Sequence, residues 1–370
     1  MATKLLLALD DSAEWAEWLA QVGTRDVYFL PEYAQVWGTI EGGTSYLFVH
    51  ANEVGVFLYP FRLRSLAEAV GLEDFAGWFD ITSDYGYGGP VVSIRRGGES
   101  SRFVIEALRE FDGVCADLRV IAEFCRFHPL LANHRRFEVV YHPLFCNQTA
   151  MMDLTLSEQE LWRQVRKGHR YDLRKAEKNG VEIAVSTKLE DSQLFYDLYL
   201  QTMLDVGAPE YYHFSPRFFE SMMKSLSGHI VVFLANYGGR TTGASMFMYG
   251  DEFFHYHFSG MDRRFQNITP NKLLLYRAAL WAKERGFSKF HLGGGYSGSD
   301  RDSLMQFKGG FTKLRAEFYV GKRIHNQGVY RDACRVAGVD PEKNRFFPAY
   351  RAKWRGSTNT NIFRAGRNDL

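Results

Sequence analysis

At 370 residues the chain is long for a single domain and comfortable for two of roughly 150 to 180 residues. Hydrophobic residues at 46% and charged residues at 24% give the balance of an ordinary globular enzyme. A formal net charge of +2 sets up no global field for nucleic acid, so any contact with a polyanion must be local.

The four cysteines, Cys115, Cys125, Cys146 and Cys334, form no CxxC pair. That argues against a disulfide framework or a zinc site and fits a reducing cytosol. Met1 to Leu9 is an apolar run too short for a signal peptide with its cleavage site, and Asp10 and Asp11 end it. No run of 18 apolar residues is present, so no transmembrane helix is expected. The expected location is cytoplasmic.

In chain order, Trp15, Trp18 and Leu19 give helical spacing within 12–40, and Pro31-Glu32-Tyr33 opens a second helix with proline in its first turn. Alternation at Tyr46, Phe48 and His50, then Val54, Val56 and Leu58, predicts strand, turn and strand over 45–65. Asp84-Tyr85-Gly86-Tyr87-Gly88-Gly89-Pro90 is a glycine–tyrosine loop. A helix over 100–111 and strands over 118–126 and 137–146 complete the first half. The cycle then restarts, with a basic helix over 157–179, a strand over 181–186, and helices over 189–206 and 215–227. Strands follow over 229–236, 242–249 and 252–259, then a helix over 270–285 and a strand over 288–292.

Each half therefore reads helix, helix, strands, helix, strand, an α/β order with a mixed sheet and the pattern of an internal duplication. The expected domains are 1–150 and 151–340, with the boundary near 148–156. Residues 341–370, rich in Asn, Arg and Gly, are expected to form mostly a basic surface tail.

The second half carries the informative segments. Phe290-His291-Leu292-Gly293-Gly294-Gly295 runs from a strand into glycines, and Leu304-Met305-Gln306-Phe307-Lys308-Gly309-Gly310-Phe311 follows a short loop. Trp281 to Gly286 precedes them as a helix end of the form Ala-x-x-x-Gly. This succession resembles the Fem family of aminoacyl-tRNA-dependent peptidyltransferases. Arg166 to Gly180 is similar to that family's basic helix, Asp84 to Pro90 to its glycine–tyrosine loop, and Pro31 to Trp37 to its N-terminal helix. The likeness spans roughly residues 10 to 325.

The resemblance implies two tandem GNAT-like (acyl-CoA N-acyltransferase-like) α/β domains with mixed sheets, the active site lying in the second. It implies transfer of an aminoacyl group from aminoacyl-tRNA to an amine, with no cofactor. Lys308, in Phe-Lys-x-x-Phe, falls on the lysine the family assigns to the transferring carbonyl, with Phe307 beside it. Attack of an amine on an ester builds an oxyanion, which a fixed cation or N–H donor stabilises, typically by about 2.7–4 kcal/mol of barrier. Tyr85, Tyr87, Gly293, Gly294 and Gly295 are the corresponding substrate-binding candidates.

Two departures from the peptidoglycan members stand out. Tyr33-Ala34-Gln35-Val36-Trp37 offers no lysine for a precursor's phosphates, and no heptad run suggests a coiled-coil arm. Acceptors therefore include small-molecule and peptide amines as well as a peptidoglycan precursor.

Other residues carry two readings. His255 and His257 share a strand face around Tyr256; without a third ligand at recognisable spacing they read as aromatic-rich core or cleft wall and not as a metal pair, with one of the two histidines able to relay the amine's proton and with His257 and Tyr256 among the catalytic candidates. His291 ends a strand, a cleft position or a packed histidine. Arg163, Arg166, Lys167, Arg170, Arg174, Lys175 and Lys178 recur at three and four, either a solvated face or a track for donor phosphates. Arg263 and Arg264 precede Pro270 in a turn free of glycine, which argues against a coenzyme A pyrophosphate cradle while leaving two cations for a single phosphodiester. Three readings stand: aminoacyl transfer from charged tRNA; acyl transfer from a carrier-protein or coenzyme A thioester; and a non-catalytic GNAT-like binding protein.

Overall fold

The computed structural model describes residues 2–95, 97–297 and 302–352. The chain divides into two compact units, Met1–Asn147 with Glu317–Leu370, and Gln148–Ala316.

In the first unit the strands run Thr3–Ala8, Thr44–Ala51, Gly55–Ser65, Phe79–Thr82, Val120–Arg126 and Arg315–Ile324 across the sheet, with Val91–Ile94 also on Gly55–Ser65. Phe79–Thr82 and Val120–Arg126 are parallel, so the sheet is mixed. The expected hairpin holds, and Asn52 makes its turn by accepting the Val54 amide through Oδ1 at 2.8 Å. Helix Ser100–Asp117 buries Phe103, Ala107, Leu108 and Phe111 against Phe48, Phe57, Tyr59 and Phe61. Full burial of one such aromatic stabilises by about 1.5–3 kcal/mol.

Three expectations are corrected in this unit. Residues 3–8, read only as an apolar run, form an edge strand paired with Thr44–Ala51. Residues 137–146 do not form one strand. Glu138–Tyr141 is a single helical turn ended by His142 at φ 43°, and the strand starts at Leu144. The turn is needed because it carries the Tyr141 hydroxyl to Glu123 in the core. Finally, the chain after Glu317 belongs to this unit and not to a domain ending at 340. Arg315–Ile324 pairs antiparallel with Val120–Arg126, and helix Gln327–Val336 buries Tyr330, Ala333 and Cys334 against Leu66, Leu72 and Ile121. The expected surface tail is exposed at Pro341–Lys343 but buried at Pro348–Arg351. Tyr350 and Arg351 both donate to Asp80, which Arg64 also contacts at 2.7 Å. The rest of that tail, 353–370, lies outside the described residues.

In the second unit the strand order is Leu144–Asp153, Lys289–Gly293, Phe253–Met261, Arg240–Tyr249, Ile230–Tyr237 and Glu182–Ser186. The expected helices are present as Asp191–Asp205, Pro216–Ser225 and Pro270–Glu284, and Leu273, Leu274, Ala278 and Ala282 of the last bury against Phe233, Phe247, Phe254 and Phe290. The single helix expected over 157–179 is two. Ser157 caps Glu158–Gln164 in a capping box with Glu160. The chain then turns extended at Arg166, whose amide bonds the Gly310 carbonyl at 2.8 Å, and Lys167–Lys178 follows.

Candidate active site

The parallel pairing of Phe253–Met261 with Lys289–Gly293 is brief: Phe253 with Lys289, Phe254 with Phe290, His255 with His291. Beyond it the strands part. Tyr256 onward pairs only with Arg240–Tyr249, through a bulge at His257, and Gly293 turns to Ala150. An opening at the carboxyl ends of parallel strands is where an α/β sheet places a ligand.

Lys308 stands in this opening, at the end of the short helix Ser303–Lys308. Its Nζ donates to the Gly294 carbonyl at 2.6 Å and lies 5.7 Å from the Tyr256 ring centroid, so it touches both parting strands. It is only 6% exposed, and among the described residues no carboxylate forms an ion pair with it. Burial pulls its pKa from 10.5 to about 7, against the opposing attraction of Asp302.

The three glycines make room for this arrangement. Gly293 has φ 76°, and a Cβ there would lie 3.3 Å from Lys308 Nζ. A Cβ on Gly295 would lie 2.5 Å from the Asp302 carboxyl carbon. Asp302 caps the Lys308 helix by accepting the Met305 amide at 2.9 Å, and it also accepts from the Ser297 amide and hydroxyl. Burial raises the pKa of the Tyr256 hydroxyl, with Ser259 and Ser245 acting in the opposite direction. The Phe307 ring meets Phe311 edge-on at 5.6 Å, while its carbonyl accepts from His169 at 3.0 Å.

The histidines are held differently from a proton relay. His291 is 1% exposed and both ring nitrogens are engaged, Nε2 with Thr149 Oγ1 at 2.8 Å and Nδ1 with His255 Nδ1 at 3.5 Å. Since Thr149 donates onward to the Ala316 carbonyl at 3.3 Å, it accepts the proton of His291 Nε2. His291 is therefore a packed histidine of the sheet. Burial, then His255, push His257 down to about 3. It is neutral at pH 7 but too weak a base to take a proton efficiently there.

Around the basic helix the charges sort in a telling way. Its two acids pair with helix Pro270–Glu284, Asp172 with Lys272 and Glu177 with Arg277. Arg166, Lys167, Arg170, Lys175 and Lys178 have no ion-pair partner among the described residues, and Arg174 lies over the Trp162 ring at 5.2 Å. Arg263 and Arg264 are already compensated, the first 3.5 Å from Asp205 and the second clamping Asp262 through Nε and Nη2 at 2.6–3.1 Å. The turn Arg263–Ile268 is a 3-10 helix ending at Thr269, whose backbone is left-handed at φ 53°.

Tyr85 and Tyr87 belong to the first unit. Tyr85 stacks on Trp37 at 4.5 Å, and Tyr87 meets Tyr28 and Phe318 edge-on at 5.3 Å each.

Residues 163–308 match the family described as an Acetyltransferase (GNAT) domain. No curated protein matches. Among solved structures, FemX superposes with a TM-score of 0.66 at 14% identity, over 89% of this chain and 99% of FemX. The second unit thus carries a GNAT-domain match, and the chain has a Fem-like fold. The Fem-like fold is also similar to the C-terminal domain of a putative lysylphosphatidylglycerol synthetase from Agrobacterium fabrum, with a TM-score of 0.53, 14% identity and coverage of 88% of this chain and 96% of that one. L-PGS from Bacillus licheniformis gives 0.52 at 13% identity, over 85% and 92%. The GNAT match brackets the basic helix and ends on Lys308, so it makes the second unit that of a GNAT-type acyltransferase.

Sequence reasoning missed Asp302, Thr149, Gly310 and His169. Asp302 was legible as an N-cap before Ser303. His169 was legible from its spacing with Leu173 and Ala176, which marks the buried face of an otherwise basic helix. Thr149 and Gly310 carry no local signal, because their partners are distant in sequence.

Proposed function

We propose that this protein moves an activated aminoacyl group, from aminoacyl-tRNA, onto an amine of a small-molecule, peptide or peptidoglycan-precursor acceptor. The observation that carries the reading is Lys308: a buried cation, unpaired with any carboxylate among the described residues, that gives its hydrogen bond to a backbone carbonyl in the opening between two strands. A group so held is preorganised for a carbonyl oxygen that gains charge.

The acceptor's neutral amine attacks the ester carbonyl carbon; the C–N bond forms and the oxygen becomes an oxyanion facing Lys308. Collapse breaks the ester C–O bond, and the amine's proton ends on the departing hydroxyl. The products are an amide and uncharged tRNA. No side-chain nucleophile is needed.

The uncompensated face of the basic helix supports a donor rich in phosphates. The name lysylphosphatidylglycerol synthetase, borne by one structural neighbour, denotes an aminoacylated product and agrees with an aminoacyl donor. Four free cysteines support a cytoplasmic setting. Acyl transfer from a carrier-protein thioester is the second reading, because the same cations suit a phosphodiester arm. Incubation with charged tRNA pools and candidate amines, with and without RNase, tests both. Amide products that vanish with RNase support the tRNA donor; products indifferent to RNase but dependent on a loaded carrier protein overturn it.

A further inference from the structure

The first turn of the basic helix holds the Lys308 segment by two hydrogen bonds. The Arg166 amide donates to the Gly310 carbonyl at 2.8 Å, and His169 Nε2 donates to the Phe307 carbonyl at 3.0 Å. These two carbonyls bracket Lys308 and Gly309. Because a carbonyl only accepts, the His169 proton is on Nε2, which leaves Nδ1 with its lone pair. That nitrogen is buried without a hydrogen-bond partner, and the residue is 2% exposed. An arrangement that leaves a polar atom unsatisfied is retained at a cost, which calls for a reason.

Gly310 belongs to the same contact. A Cβ there would lie 2.1 Å from His169 Nε2, so the histidine reaches the Phe307 carbonyl only across a residue without a side chain. The ring then meets Phe311 edge-on at 4.9 Å and Phe307 at 5.9 Å. The ring is kept neutral: burial, then Lys272, lower its pKa to about 4, with Arg166 acting the same way and Asp172 opposing. The Lys308 helix has six residues, too few to hold its own geometry. Asp302 fixes one end, and His169 fixes the carbonyl that immediately precedes Lys308.

We infer that His169 is a positioning residue, coupling the placement of the basic helix to the placement of the Lys308 ammonium in the opening. The inference rests on the reading above in taking that helix as the donor's phosphate track. Engagement of a donor on Arg166 and Lys167 then bears directly on the segment that carries Lys308.

The test compares His169→Gln, whose amide nitrogen occupies the place of Nε2, with His169→Asn, which is too short to reach. Two readouts are taken on the full chain: kcat and KM with charged tRNA, and the pH midpoint for acylation of Lys308 by acetic anhydride, read by peptide mass. His169→Asn is expected to lower kcat at least about 10-fold with donor KM changed less than about 3-fold, and to move the Lys308 midpoint upward as the ammonium gains water. His169→Gln is expected to restore both. Gly310→Ala, which closes the same contact from the other side, should behave as His169→Asn does. An unmoved Lys308 midpoint in both His169→Asn and Gly310→Ala overturns the inference, as does equal impairment of the Gln and Asn variants. The labelling needs no turnover, so absence of any tRNA-dependent amide would sink the proposed function while leaving the coupling separately tested.

Discussion

Lys308 gives its hydrogen bond to the Gly294 carbonyl, 2.6 Å away, beside Gly293, where a Cβ would lie 3.3 Å from the ammonium nitrogen. The partner is neutral, so the cation keeps its charge uncompensated in a buried place. Replacing it should remove transition-state stabilisation without removing a structural ion pair. Lys308→Ala is expected to lower turnover by at least about 10²-fold while the melting temperature holds. Near-normal turnover in that variant takes Lys308 off the catalytic list.

Acidity provides a second test. With burial holding Lys308 near 7, the cation is lost as pH rises through neutrality. An aniline acceptor stays unprotonated across this range, so kcat with it should fall above pH 7. A rise instead would make Lys308 the proton acceptor. The stability sign follows from the same shift. The folded pKa lies below the unfolded 10.5, so the unfolded chain binds more protons between about 7 and 10.5. The contribution to stability is present above 10.5 and lost as pH falls through 7. Lys308→Met should therefore raise the melting temperature more at pH 6 than at pH 10.

The basic helix makes a salt-dependent prediction. Changing Arg166, Lys167, Arg170 and Arg174 to glutamate should weaken donor binding and flatten its log–log salt dependence by about 0.7–0.9 for each phosphate left without its cation. Binding isotherms at several salt concentrations measure this. An unchanged slope reduces the helix to solvated surface.

Coenzyme A should bind poorly. Pro270 removes an amide at the start of its helix, Thr269 is fixed by donating its hydroxyl to the Asp172 carbonyl at 3.0 Å, and Arg264 is occupied by Asp262. A Kd in the high-micromolar range or weaker, less than about 8 kcal/mol, is expected from calorimetric titration with coenzyme A or acetyl-coenzyme A. Low-micromolar binding of either would place an acyl-coenzyme A transferase first.

Asp80 offers a stability test away from the site. Burial alone would raise its pKa, but Arg351 and Arg64 more than reverse that, so it is ionised between two guanidinium groups. Asp80→Asn takes the Asp80 charge from both buried cations, leaving Glu41 near Arg64, and should cost about 3–5 kcal/mol in denaturant unfolding. A loss below about 1 kcal/mol would mean that water replaces the carboxylate.

The sequence was most legible where chemistry is local. The hairpin at Asn52 and the proline-led helix at Pro31 follow from spacing and turn residues, and the run from Phe290 to Phe311 was legible through its resemblance to the Fem family. The break at Arg166 was hidden because its cause, the Gly310 carbonyl, lies far along the chain. His291 misled for a similar reason: a strand end before glycines looks open, yet Thr149 and His255 close over it. Arg263 and Arg264 read as free cations because Asp205 and the clamping geometry of Asp262 are tertiary facts. Side-chain identity suggested a role in each case; only the partner decides it.

The return of Arg315–Ile324 to the first unit has a consequence for biosynthesis. Glu123 is buried with Arg323 and His325, and Asp80 with Arg351, so two carboxylates encoded early wait for partners encoded late. On the ribosome, where chains emerge at about 5–20 residues per second, the segment 148–316 is complete first. The N-terminal unit, though made earlier, reaches its native charge balance only after the final strand, helix and Arg351 have left the tunnel. Vectorial synthesis therefore matures this protein from its middle outward, and a ribosome stalled near residue 316 would display an N-terminal half in which Glu123 lacks Arg323 and His325, while Asp80 keeps Arg64 but lacks Arg351.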